Sequence, residues 1–499
     1  MLRNVMAKPI GIIVVVFTIT RLLLAQGNLW QRIFDTGETD YAEDITTDYQ
    51  GNIIVVGTTI PEEINPPNRE DILIIKYNQV GDTLWIQTYD STYVDEAYGV
   101  ATDKQANIIV VGSIHNDMTN ADIHIVKYDP NGNLIWTQTY TNGENVGEFG
   151  YGVATDSKNN IIVTGKAYYN WGDYIILKYD QNGNLLWMRT YDGAWEDYAQ
   201  DVAVDGSDNI IVTGYSNRDM NWDWCTIKYS PEGDIIWIRR YDVAETDWAF
   251  GVATDQDDNV IVAGETHQLL PGTGGCSAMV IKYSAQGDTL WTKIFTDTLQ
   301  YAEVGTFTDV TTDDQGNIYL AGEYFYWSDT GTSNNRSDYY IVKCDLYGDT
   351  LWTVTYDYDN EDEVSGIVLD NEGNIVVTGT TNHRYGWFEY DFLTIKLKNK
   401  AVDKIDKIHL FLHEFVLHQN YPNPFNLSTT FRYEIPEAAV VKITIYNVLG
   451  HKTGVLVNEL KQPGIYETVW DASDVTNGLY FVQMVGGNFK ATKKLILVK

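Results

Sequence analysis

Seven times between residues 30 and 396 the same three landmarks return: an Asp that closes a small-residue strand and is followed four residues later by Asn, a Lys inside a β-branched run, and a Trp after a turn. The aspartates are Asp48, Asp103, Asp156, Asp205, Asp255, Asp313 and Asp370, and the lysines are Lys76, Lys127, Lys178, Lys228, Lys282, Lys343 and Lys396. The tryptophans are Trp30, Trp85, Trp136, Trp187, Trp237, Trp291 and Trp352, 50 to 61 residues apart. A period of that length marks an array of stacked supersecondary units, none of which can bury its apolar faces alone.

One unit, residues 149–192, contains four runs, YGVATD, NIIVTG, DYIILKYD and LLWMRTY, each short and rich in β-branched or aromatic residues. They are separated by segments such as DSKNN and DQNGN, with Asp or Asn opening the turn and Gly or Asn where positive φ is needed. Four antiparallel strands per period of about 50 residues is what one propeller blade requires. Trp30 lies in an outer-strand motif with no three strands before it, and Lys396 ends a third strand with no Trp strand after it. Pairing the two fragments completes a seventh unit and removes two exposed sheet edges. The expectation is a seven-bladed β-propeller over residues 26–398, its N-terminal strand closing the last blade. The units VATDSKNNIIVTG and DYIILKYDQNGNLLW resemble the bacterial SBBP propeller repeat. That resemblance implies the fold and brings no catalytic residues.

The formal charge of −35 is unevenly placed, +3 in residues 1–25 and +2 in 415–499, so the residues between carry −40. Such a field repels phosphate backbones and anionic lipid, which argues against nucleic-acid and membrane-surface partners. The first 25 residues place Arg3, Lys8 and Arg21 around a short apolar run ending at Ala25, the pattern of a secretory signal peptide; the run is too short for a span. Three cysteines, Cys225, Cys276 and Cys344, sit at non-equivalent repeat positions and read as free thiols.

Beyond a linker at 399–414, residues 415–499 change pattern to alternating strands with Pro, Asn and Gly turns, as in a small immunoglobulin-like β-sandwich. The run Asn420, Tyr421, Pro422, Asn423, Pro424, Phe425 and Asn426, with Tyr446 to Gly450, Trp470 to Ala472, Gly478 to Tyr480 and the basic strand Lys493 to Lys499, resembles the type A sorting domain of the type IX secretion system. The resemblance implies that machinery as a partner and delivery to the outer surface, or release, from a Gram-negative-type cell.

Eight positions before each landmark Asp stand Asp40, Asp95, Glu148, Asp197, Asp247, Gly305 and Asp362, and four before stand Asp44, Gly99, Gly152, Asp201, Gly251, Asp309 and Gly366. If the first strand is innermost, the six acids of the first set ring one mouth of the central channel. They would form a site for a cation or basic ligand, unless each caps its own loop. Aromatic residues that vary between repeats, including Trp171, Trp195, Trp222, Trp248, Trp327 and Trp387, are expected on loops at the same mouth, where rings beside carboxylates suit sugars. The repeated Trp is assigned to the core. No cofactor is expected: Asp255, Asp257 and Asp258 resemble a calcium loop only loosely. The histidines His115, His124, His267 and His383 occupy unrelated positions and assemble neither a metal cluster nor a triad. The reading is an exported, non-catalytic binding module for glycan or protein. A polysaccharide-active enzyme using the channel carboxylates and a purely structural envelope protein are the alternatives.

Overall fold

The computed structural model describes residues 28–37, 39–60, 70–91, 94–117, 120–143, 147–168, 172–218, 221–242, 246–267, 276–295, 302–326, 336–358, 361–382, 390–399, 416–417, 420, 423–435, 439–461, 464–487 and 489–499. The signal segment 1–25 and nearly all of the linker lie outside them, as do Trp171, Trp327 and Trp387. The chain divides into two compact units.

The larger unit is built from four-stranded antiparallel sheets, one per repeat, here numbered I to VII. Sheet I comprises Thr39–Thr47, Ile53–Ile60, Asp71–Tyr77 and Thr83–Tyr89. Sheets II to VI repeat that order over 94–140, 148–191, 197–241, 247–295 and 302–356. Sheet VII takes Glu361–Leu369, Ile375–Asn382 and Tyr390–Leu397 from the end of the array and its fourth strand, Asn28–Phe34, from the beginning. Trp30 pairs with Lys396 and Phe34 with Phe392 in that register, as the two sequence fragments require. The first strand of each sheet lies against the first strand of the next, and that of sheet VII lies against that of sheet I.

Second and third strands are buried on both faces, so they read as unbroken runs such as IIVTGKA and DYIILKY. Their side chains interleave between neighbouring sheets: Ile109, Val111 and Ile123 of sheet II pack with Val153, Val163 and Ile175 of sheet III. First strands alternate instead. In Asp197–Val204 the residues Asp197 and Ala199 are buried, whereas Tyr198 and Gln200 are half-exposed. Every first strand also carries a bulge, as between Ala42 and Asp44 or Ala199 and Asp201, which resets that alternation.

The three landmarks prove to be one device. The landmark Asp accepts the amides two and four residues on and the side-chain amide of its Asn, which shapes the first turn. Its Oδ2 also meets the repeated lysine, as in Lys178 to Asp156 at 3.0 Å, with both side chains buried. The same ammonium donates to Pro231 O of the next sheet at 3.1 Å, and the Trp187 Nε1–H donates to that same oxygen at 3.2 Å. The pattern recurs from Lys76 and Trp85 onto Pro130 O, and from Lys228 and Trp237 onto Ala285 O. Lys396 and Trp30 bind Gln79 O, joining sheet VII to sheet I. The tryptophans therefore sit at the seams: Trp30, Trp237 and Trp352 are buried and the other four half-buried, not all core as the sequence suggested.

One copy departs. Sheet VII has no turn between third and fourth strands, because its fourth strand comes from the chain start, so Lys343 donates to Asn399 Oδ1 at 3.1 Å. Its distance to Asp313 stretches to 3.9 Å. Cys225, Cys276 and Cys344 are free thiols, as expected.

The smaller unit has a three-stranded sheet (Val416–Leu417, Ser428–Ile435, Gly464–Asp471) and a four-stranded sheet (Lys452–Lys461, Ala439–Asn447, Gly478–Gly486, Phe489–Leu497). Both contribute to one core, with Phe431, Tyr433 and Trp470 from the first against Ile443, Val482 and Leu495 from the second. Tyr421 and Pro422 of the motif lie outside the described residues; Asn423 and Phe425 are part of this construction. Asn423 Oδ1 accepts the Ile496 amide at 2.9 Å, the Phe425 amide donates to Ile496 O at 3.0 Å, and the buried Phe425 ring meets Trp470 at 5.6 Å. The opening motif and the terminal basic strand hold one another.

Removing one member of a buried ion pair strands its partner, so Lys178→Ala should cost about 3–5 kcal/mol in chemical denaturation. Lys293→Ala, which breaks the exposed pair with Asp349, should cost at most about 1 kcal/mol. Equal effects would remove the ion pair from its structural role. Burial alone would raise the carboxyls of Asp103, Asp156, Asp205, Asp255 and Asp370, but the Lys and Asn hydrogen bonds outweigh it and hold them below the ordinary range. The unfolded chain then takes up protons first, so this stabilisation is complete above about pH 4 and fades as pH falls through the folded values. Circular dichroism should show an acid transition below about pH 4 that Lys178→Ala moves upward.

Candidate functional site

The alternation of the first strands decides which residues can meet a ligand. Buried positions face the neighbouring sheet; the positions between them face the space that the seven first strands share. The six acids of the predicted ring are all on the buried side: Asp40, Asp95, Glu148, Asp197, Asp247 and Asp362 are each 0% exposed. Their predicted placement at an open channel mouth is corrected by a single position of register, since side chains one apart on a strand point to opposite faces.

Several of these acids hold the connection that precedes them. Asp40 Oδ2 accepts the Thr36 amide at 2.8 Å, Asp95 Oδ2 the Ser91 amide at 2.7 Å and Asp197 Oδ2 the Gly193 amide at 2.6 Å. Asp362 accepts the Thr381 hydroxyl. Burial lifts the Asp40 carboxyl to about 6, against the pull of Thr59 and Thr36, and burial followed by the Asp122 charge lifts Glu148 to about 8.

The sparser second set, Asp44, Asp201 and Asp309, staples sheet to sheet. Each accepts the next amide of its own strand and one from the following first strand: Val100 to Asp44 at 2.7 Å, Val252 to Asp201 at 2.8 Å and Ile367 to Asp309 at 2.8 Å. Successive first strands approach closely at the glycines of this position: a Cβ on Gly99 would lie 2.5 Å from Tyr151 O, and one on Gly251 2.8 Å from Asp309 Cα. Burial and then the Asp309 charge lift Asp201 to about 7, and burial lifts Asp309 to about 6.

The shared space is lined by the odd positions. Tyr41, Glu96, Phe149, Tyr198, Trp248 and Glu363 stand seven before the landmark Asp, and Glu43, Tyr98, Tyr151, Gln200, Phe250 and Ser365 five before. Beside them lies the residue that follows each second-strand glycine, among them Lys166, Tyr215, Glu265 and Glu323. These groups sort into two halves.

Sheets II to V supply the aromatic half. Tyr98 meets Tyr151 at 5.5 Å, Phe149 stacks on Tyr151 at 6.3 Å, and Tyr198 stacks on Tyr215 at 5.0 Å. Trp222 closes on Tyr198 and Tyr215 at 5.7 and 5.3 Å, and Trp248 on Tyr215 at 5.9 Å. Lys166 Nζ lies 3.7 Å from the centre of the Tyr198 ring and 4.2 Å from that of Tyr168, and 3.7 Å from Glu196. These rings touch one another while staying half-exposed, and Trp248 Nε1–H has no acceptor. Trp222 and Trp248 are on strands, not on the loops where the sequence put them, and Trp195 is on a turn, 45% exposed. Trp224 is in the core, its Nε1–H donating to Glu265 O.

Sheets VII, I, II and VI supply the acidic half. Burial, then Glu96 and Glu363, lift Glu43 to about 8; burial, then Glu363 and Glu265, lift Glu323 to about 8. Glu96 is held below its ordinary range, because hydrogen bonds from His115 and Tyr98 outweigh its burial, and His115 Nε2 stands 3.3 Å from Glu96 Oε2. At the opposite end a depression of about 540 Å³ is lined by the first turns, including Lys104, Ser157 and Asp208. Its polar groups bond one another, as Ser157 Oγ does to Asp208 Oδ2 at 2.6 Å.

Sequence reasoning missed Lys166, Tyr215, Glu265 and Glu323. Their signal was present as variation: the residue after the repeated second-strand glycine is Thr58, Ser113, Lys166, Tyr215, Glu265, Glu323 and Thr380, while the glycine before it is constant.

Residues 419–499 match the secretion system C-terminal sorting domain. Over 461 residues, 71% of this chain, the sequence is 24% identical to an uncharacterized WD repeat-containing protein of Acanthamoeba polyphaga mimivirus, and the chain spans 30% of that protein's length. Among solved structures it is similar to PorZ, an essential surface component of the type-IX secretion system of Porphyromonas gingivalis, at 11% identity over 91% of this chain and 59% of that one, with a TM-score of 0.40. It is also similar to polysaccharide lyase Uly1, at 11% identity over 71% of this chain and 89% of that one, with a TM-score of 0.45. No helix among the described residues is long and apolar enough to cross a membrane. The chain is an all-β repeat protein with a C-terminal sorting domain, exported by the type IX secretion system to the outer surface or the medium.

Proposed function

We propose that the chain is a surface-displayed or secreted glycan-binding module. In this reading sheets I to VII are the seven blades of one propeller, residues 1–25 its secretory signal, and the C-terminal sandwich an immunoglobulin-like carrier domain. The ligand enters the axial cup between the first strands, not the turn end of the array.

The observation that supports this reading is the division of the cup. Rings from Tyr98, Phe149 and Tyr151 and from Tyr198, Tyr215, Trp222 and Trp248 make two apolar clusters, and Glu43, Glu96, Glu323 and Glu363 stand in the other half. Sugars present apolar C–H faces and hydroxyl edges, which suit stacking rings and carboxyl oxygens. The buried Trp248 Nε1–H without an acceptor is a donor that a hydroxyl would satisfy. Nothing in the cup requires a cofactor, and the reading is binding without turnover.

The test is a screen of the full chain against neutral and acidic polysaccharides, followed by calorimetry on the best binder. Loss of one stacking ring is worth about 1.4 kcal/mol, so Trp248→Ala and Tyr198→Ala should each weaken binding about tenfold. Unchanged affinity in both variants would put the ligand elsewhere, silence across the screen would favour a protein ligand or scaffold role, and shortening of the polysaccharide would replace binding by catalysis. As pH rises through about 8, Glu43 and Glu323 lose the protons that burial favours and turn from donors into anions. Affinity for an acidic polysaccharide should therefore fall between about pH 7 and 9, and more steeply than for a neutral one.

A further inference from the structure

The buried acids of the first strands belong to a recurring group that straddles the seams between sheets. One carboxylate comes from the start of a third strand, one from the residue after the fourth strand of the same sheet, and one from the start of the next first strand. Four such groups bring one oxygen from each member within 4.8 Å of the others: Asp391, Asp35 and Asp40; Asp71, Asp90 and Asp95; Asp173, Asp192 and Asp197; and Asp338, Asp357 and Asp362.

The seam between sheets III and IV shows what the group lacks. Asp173 is 6% exposed and has no hydrogen-bond or ion-pair partner among the described residues. Asp197 is 0% exposed; its Oδ2 accepts the Gly193 amide, but its Oδ1 is buried without a hydrogen bond. Asp192 is exposed and uses Oδ1 on the Ala194 amide at 2.9 Å. The basic group whose charge reaches Asp197 is Arg240, which acts beside the Ser216 hydroxyl; its Nη2 donates to Tyr191 Oη at 2.8 Å and to Ser216 Oγ at 3.0 Å. Three carboxylates and one guanidinium leave a charge of −2, which one divalent cation cancels.

The sequence keeps all three acids at five of the seven seams, loses only the acid after the fourth strand at Thr141 beside Asp122 and Glu148, and loses all three at one seam. Where Gly305 replaces the first-strand acid, the third-strand position is Ser277 and the position after the fourth strand is Thr296, so the whole group is gone. At that seam the third-strand acid, near 30 positions away in sequence, is absent along with the first-strand acid, which capping of a loop by one acid alone does not require.

We propose that Asp173, Asp192 and Asp197 form a calcium site clamping sheet III to sheet IV, and that the groups at Asp35, Asp40 and Asp391, at Asp71, Asp90 and Asp95, and at Asp338, Asp357 and Asp362 are its copies. An all-oxygen set open to water on one side suits a hard ion that keeps part of its hydration. The site lies at the start of the third strand, and the lysine and tryptophan staple lies at its end, so the two would hold each seam at both ends.

The test is calorimetric titration of calcium chloride into chelator-stripped full chain, with thermal unfolding with and without calcium. Wild-type chain should bind calcium and melt at higher temperature in its presence, Asp173→Asn should bind one ion fewer per chain, and Asp349→Asn, an exposed acid outside these groups, should match wild type. If Asp173→Asn does not fold, Asp192→Asn decides, since that side chain is exposed. Absence of binding at millimolar calcium, or an unchanged number of ions in Asp192→Asn, would overturn the proposal. The calcium titration needs no glycan, so its failure is separate from failure of the glycan reading.

Discussion

The buried ion pair between the repeated lysine and the landmark aspartate is the interaction on which the array depends. An ammonium taken out of water is tolerated only where a carboxylate and further acceptors surround it. Here one acceptor is the Asp of the same sheet and another is a turn carbonyl of the next sheet, as with Asp156 and Pro231 O around Lys178. The desolvated charge cannot be satisfied inside a single sheet. That requirement converts seven marginal sheets into one cooperative stack, and the Trp indole that shares the same carbonyl gives the contact its direction.

The same logic explains how the array ends. An open stack would leave Lys396 with no next turn, yet Lys396 reaches Gln79 O of sheet I, 317 residues away in sequence. The strand Asn28–Phe34 supplies the Trp30 that completes this contact, so closure is made by backbone pairing along one edge and by the repeated staple across the other. The cost appears at Lys343, which faces the one sheet without a turn to offer and takes a side-chain amide instead.

Much of this was legible in the sequence because repetition averages out local ambiguity: seven copies of Asp, Lys and Trp fix strand order and period better than any single window. The C-terminal motif was legible for a similar reason, since Asn423 and Phe425 must meet the terminal strand at Ile496 and tolerate little change. What was not legible was phase. The strand that carries Asp40, Asp95 and Asp197 alternates every residue, and the bulge that follows resets the alternation, so composition alone could not say whether the acid or its neighbour faces the axis. The repeated acid proved to face the seam, and the variable neighbour, tyrosine in two copies and tryptophan or glutamate in others, faces the opposite side of the strand.

That division has a general physical reason. A residue that recurs in every unit answers a demand that every unit makes, which is to bind its neighbour; a residue free to differ answers a demand made once. Lys166 shows the contrast with Lys178, twelve residues on in the same sheet. Lys178 is fixed by Asp156 and a turn carbonyl, as its counterparts are in other sheets. Lys166 replaces a Thr, Ser, Tyr or Glu of other copies, is equally buried, and lies over the rings of Tyr168 and Tyr198 with Glu196 nearby. It contributes nothing to the seam device, and its ammonium donates to Tyr168 Oη at 2.9 Å beneath those rings. In an array of near-identical sheets, whatever distinguishes one sheet from the next resides in such departures, and here they are gathered on the first and second strands.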